Sequence, residues 1–138
     1  MRYLLWAVLA LIGYTLVPPL VKMATATIPS DVVLVISNGI LVAVGLAIVL
    51  SSDVSVTPYL TDGQAVYAYA AGIALTVGIV SYYRALAAGP ISVVVPVFGM
   101  FIATSSIIGI AFLDEPLTGR KVAGIALAVA AVYLTSVE

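Results

Sequence analysis

The chain has no cysteine and no histidine. Their absence removes disulfides, thiol nucleophiles, imidazole bases and the common zinc and copper ligands together. Charge is scarce as well: five Lys and Arg and six Asp and Glu make up 8% of 138 residues, for a formal net charge of −1. A soluble domain carries about 25% charged residues, so there is too little polar surface here to wrap a water-soluble globule. No run of Lys or Arg occurs, and without clustered cations a chain has no means of displacing the counterions of nucleic acid. No ionisable carboxylate or basic group falls near the middle of an apolar stretch. That leaves an intramembrane hydrolase without a base and a proton-coupled exchanger without its membrane carboxylate. The reading is of a non-enzyme with no cofactor and no metal.

What is present is apolar: 64% of the residues are hydrophobic. They fall into five stretches expected to cross a bilayer as helices over residues 3–21, 32–50, 64–83, 91–113 and 122–137. A span needs about 20 apolar residues at about 1.5 Å each. Many of these residues are β-branched, but a barrel would need alternating polar positions, and the runs do not alternate. Helices are expected because backbone groups in lipid must be paired within the segment. Charged or breaking residues separate the runs: Lys22 and Asp31, then Asp53, Pro58 and Asp62, then Arg84 with Gly89-Pro90, then Asp114-Glu115-Pro116. Pro90 suits the first turn of the next helix. The first run also has a rival reading, because Arg2, an apolar stretch and Ala24-Thr25-Ala26 have the layout of a signal peptide. Its length, Pro18-Pro19 and Lys22 speak against that.

An odd number of spans puts the two ends of the chain on opposite sides of the membrane. Arg2, Arg120 and Lys121 fall on the side of the first residue, and Lys22 and Arg84 on the other. Three against two is a weak bias. It is compatible with a fixed orientation, with dual topology, and with a related partner chain inserted the other way.

The middle of the membrane holds neutral polar groups: Tyr14 and Thr15, Asn38, Thr76, and Thr104, Ser105 and Ser106. Serine and threonine there commonly bond their own backbone, whereas Asn38 is costly to bury and should face other helices. Tyr82-Tyr83-Arg84 reads either as an interfacial belt or as the mouth of a path. Pro18 and Pro19 free the carbonyls of Tyr14 and Thr15, and Pro96 frees that of Ser92. All three prolines fall in one half of the bilayer, which makes them hinge candidates, and an antiparallel copy would supply equivalents in the other half. Gly124 and Ala128, four apart, mark a close helix contact.

The second half carries an ordered set of motifs. Tyr82-Tyr83-Arg84-Ala85-Leu86-Ala87-Ala88-Gly89-Pro90 is followed by Val93-Val94-Val95-Pro96, by Asp114-Glu115-Pro116-Leu117-Thr118-Gly119-Arg120-Lys121 and by Val122-Ala123-Gly124. The set resembles the EamA-type repeat of the drug/metabolite transporter superfamily. The first half fits by layout more than by letters, with Trp6, Gly13 and Lys22 in the first run and Ser37-Asn38 where a basic residue is often seen. Members similar to this chain carry two inverted five-helix repeats. The resemblance therefore implies that a chain with one repeat is half of a ten-helix inverted-repeat transporter. It implies a homodimer, preferably antiparallel, or a pairing with a related five-helix chain, around a path lined by helices one, three and four. It also implies small metabolites as cargo, and an end-of-helix role for Glu115, capping the next helix or pairing with Arg120 or Lys121.

The expectation is thus an all-α, multi-pass protein of the cytoplasmic membrane. It moves a small neutral or zwitterionic metabolite by alternating access, with Tyr14, Asn38, Tyr82, Pro96 and Ser105 lining the path. Two rivals remain: an exporter of the small-multidrug-resistance kind, and a membrane scaffold or accessory subunit that transports nothing.

Overall fold

Lipid gives a backbone N–H no partner, so each apolar run must satisfy its own peptide groups. The computed structural model describes residues 2–113 and 116–136. Among them there are five α-helices and no strand: α1 (Arg2–Ala24), α2 (Ser30–Leu50), α3 (Ala65–Ala88), α4 (Ile91–Phe112) and α5 (Gly119–Ser136). A 3-10 turn, Thr57–Thr61, lies in the loop between α2 and α3. Four of the helices, α1 to α4, are long and apolar enough to cross a membrane. The fifth, of 18 residues, carries Arg120 and Lys121 in its first turn.

Local chemistry sets the helix ends. Pro29 and Pro90 each stand in extended conformation just before a helix. Their carbonyls accept the first helical bonds, from Val33 at 3.1 Å and from Val94 at 3.0 Å. Pro90 therefore caps α4 from outside instead of occupying its first turn. Thr118 caps α5, its hydroxyl accepting from the Lys121 N–H at 3.3 Å. The expected role of Glu115 lies outside the described residues. In the loop, the Tyr69 hydroxyl donates to the carbonyl of Leu60 at 2.8 Å and ties the 3-10 turn to the start of α3.

Several boundaries differ from those read off the sequence: α2 begins at Ser30 and α5 at Gly119, each ahead of its expected start. α1 runs past Lys22 to Ala24, and α3 runs past Arg84 to Ala88. Ala85-Leu86-Ala87-Ala88 are strong helix formers, and the backbone is interrupted only at Gly89-Pro90.

The chain divides into two compact units, residues 1–18 with 88–138 and residues 19–87. α1 passes from one to the other between Pro18 and Pro19. In the first unit α4 packs along α5, with Ala103 and Gly109 of α4 buried. In the second, the buried residues are Val21, Val33, Tyr82, Tyr83 and Leu86.

Candidate functional site in the second unit

Lys22, Asp31 and Arg84 of the second unit lie where α1 ends, α2 begins and α3 ends. Asp31 lies in the first turn of α2, where a carboxylate meets the positive end of the helix dipole. Arg84 of α3 reaches it as a fork, Nε to Oδ1 at 3.3 Å and Nη2 to Oδ2 at 3.4 Å. Both side chains stay well exposed, 67% and 63%. Lys22 Nζ, from the last turn of α1, donates at 3.3 Å to the carbonyl of Ala87, one of the α3 carbonyls that has no partner within its own helix.

One layer deeper the groups are neutral. Ser37 Oγ lies 2.8 Å from Tyr83 Oη. It also lies 2.9 Å from the carbonyl of Val33 and 3.3 Å from that of Leu34. Asn38 Nδ2 donates to Leu34 O at 2.9 Å and lies 3.5 Å from Ser37 Oγ. The face of α2 that makes these contacts, Ser30, Val33, Leu34, Ser37 and Asn38, has helical spacing and is the covered face. Tyr82, Tyr83 and Leu86 are buried beside it on α3. Past Asn38 the cover ends: α2 is exposed over residues 39–48 and α3 over residues 66–78. The unit is tied at one end and bare along the rest of the same helices.

Of the residues expected to line a path, Asn38 and Tyr82 belong to this unit, whereas Tyr14, Pro96 and Ser105 belong to the first. Tyr14 is exposed and Pro96 half-buried. Ser105 is exposed, and its hydroxyl donates to the carbonyl of Phe101 a turn back. The neighbouring Ser106, not Ser105, lines a groove of ≈ 210 Å³ between α4 and α5, together with Ala103, Lys121, Gly124 and Ala128. Gly124 and Ala128, read as a close-contact strip, thus face α4 of the same chain.

The sequence names Tyr83 only within the Tyr82-Tyr83-Arg84 belt or mouth and Asp31 only as a charge between two runs, not as the partners of Ser37 and Arg84. The signal for Asp31 was available, since Asp31 and Arg84 are opposite charges at two helix ends that adjoin in any hairpin of α2 and α3. Tyr83 carried none, because choosing it over Tyr82 requires the rotation of α3.

Neither a curated protein nor a solved structure matches the chain significantly. The family model of the EamA-like transporters matches residues 1–137, almost the whole length. With four helices able to cross a membrane, the chain is a multi-pass membrane protein and belongs to the EamA-like transporter family.

Proposed function

We propose that this protein is a transporter subunit that moves a small neutral or zwitterionic metabolite across the cytoplasmic membrane by alternating access. One observation carries the reading beyond family membership: the second unit is tied at one end by Asp31–Arg84, Lys22–Ala87 and Ser37–Tyr83, while the remainder of α2 and α3 is bare. A carrier needs a closure of this kind on one side at a time. Lipid is as apolar as the helices, so apolar burial alone does not decide where they meet, and the polar ties fix the contact at this end.

The working unit is a pair of chains, as an antiparallel homodimer or with a related five-helix partner, in which α5 is the fifth span. The second copy supplies the closure on the other side. Pro18, Pro19 and Pro96 are the hinges. Each removes a backbone bond inside a helix, and the first two stand where α1 passes from one unit to the other.

The chain has no native cysteine, which makes the test direct. Tyr14→Cys, Asn38→Cys and Ser105→Cys are treated one at a time with a water-soluble maleimide in membranes. Reaction at Asn38→Cys that is blocked by a transported solute supports the reading. Failure of all three to react removes the aqueous path and leaves the scaffold as the better account.

A further inference from the structure

Residues 51–64 join α2 to α3 and are exposed throughout. Val54, Val56, Tyr59 and Leu60 are among them, and a cluster of large apolar side chains left open marks a surface made to meet something. Three of the four belong to the 3-10 turn Thr57–Thr61 and its cap, Val56. Residues three apart eclipse in such a turn. Val56 therefore shares a face with Tyr59, and Thr57 with Leu60, while Pro58 and Thr61 take the third face.

One hydrogen bond sets the level of this turn in the membrane. α2 and α3 are both long and apolar enough to span, and the exposed Asp31–Arg84 pair marks the water-facing level at their far end. Tyr69 stands fifteen residues before Arg84, about 22 Å along α3 and short of the ~30 Å of a hydrocarbon core. Tilting the helix sets it deeper still. Side chains lean toward the start of their helix, so the Tyr69 phenol is directed back to the boundary. There it donates to the Leu60 carbonyl at 2.8 Å. The turn is thus folded back against the start of α3 instead of standing out in water. Asp62 does not oppose this position, because its Oδ1 accepts from the Gln64 N–H at 2.8 Å. Tyr67 and Tyr69 are both exposed at the same end of α3, and tyrosine gathers at the boundary of lipid and water.

We infer that this turn is an interfacial foot, lying in the headgroup layer with Val56, Tyr59 and Leu60 against the upper acyl chains and Thr61 toward water. Its partner is the surface of the bilayer in which the chain stands. The exposed surfaces of α2 and α3 lead into the loop from both sides. Interfacial segments draw on buried apolar area and on attraction to anionic lipid. Residues 51–64 hold Asp53 and Asp62 but no Lys or Arg, so the apolar part acts alone and the foot needs no anionic lipid. Polar ties hold α2 to α3 at one end, and at the other the foot sets the depth of both.

The full chain has no native cysteine, so Val56→Cys, Leu60→Cys and Thr61→Cys can each carry a single spin label in phosphatidylcholine nanodiscs. Collision with oxygen, which concentrates in lipid, is compared with collision with a water-soluble nickel chelate. Oxygen should dominate at the first two positions and nickel at the third, and adding phosphatidylglycerol should leave the pattern unchanged. Nickel dominating at both Val56→Cys and Leu60→Cys overturns the inference, as does oxygen dominating only when phosphatidylglycerol is present. Exclusion of both reagents overturns it in favour of a protein cover. Maleimide reactivity at Asn38→Cys reports on the solute path alone, so the foot and the transport reading fail separately.

Discussion

Tyr83 on α3 and Ser37 on α2 approach to 2.8 Å, and because the Ser37 hydroxyl already reaches the carbonyls of Val33 and Leu34, the buried phenol takes the donor role. Tyr83→Phe keeps the ring and removes the proton. It should cost about 1 kcal/mol, the usual size of a hydrogen bond between membrane helices. Ser37→Ala should cost more, because it strands a buried donor, and the double variant should recover part of that loss. Denaturation in mixed micelles measures all three, and strictly additive losses would show that the two groups do not interact.

The Asp31–Arg84 pair should contribute little to stability. Both side chains are more than half exposed, and such pairs are worth less than about 1 kcal/mol. The expected effect is on opening. Asp31→Asn or Arg84→Gln should raise the maleimide reactivity of Asn38→Cys, and the exchange Asp31→Arg with Arg84→Asp should lower it again. Unchanged reactivity in all variants would separate the pair from the closure.

Leu86 is fully buried, at 0% exposure. Leu86→Ala should lose roughly 2 kcal/mol or more, since the cavity forfeits packing contacts even where no water is involved. Leu41→Ala, at an exposed position of α2, should be close to neutral. Thermal unfolding of the two variants side by side gives the comparison.

A methyl group placed at Gly124 would meet nothing within 4 Å. Gly124→Ala should therefore stabilise α5 of the lone subunit by about 1 kcal/mol through helix propensity. Cross-linking reads the pair of chains in the same sample. Loss of the dimer beside a more stable subunit would place a partner helix over Gly124, and an unaltered dimer would place the contact elsewhere.

Much of the fold could be read from missing charge. Where the sequence carries twenty uncharged residues in a row, lipid leaves little choice but helix. A cation at the end of an apolar run does not mark a helix terminus here. Arg84 has a long apolar stem and can lie along its own helix while its head reaches Asp31, so α3 continues to Ala88. Asn38 stood out because an amide in the membrane demands partners. Ser105 and Ser106 did not separate, because adjacent residues differ by about 100° of rotation and only packing decides which of them meets α5. The same ambiguity hid Tyr83 behind Tyr82.

The hydroxyls of Thr15, Thr76, Thr104, Ser105, Ser106 and Thr135 each donate to a carbonyl of their own helix four residues back. These groups meet the bilayer with their protons already placed, so the helices that carry them can leave the translocation machinery singly, with no neighbour in waiting. The phenol of Tyr83 cannot. Its proton has an acceptor only after α2 and α3 have met, which makes the joining of those two helices the step of biogenesis at which a folding error would first be felt.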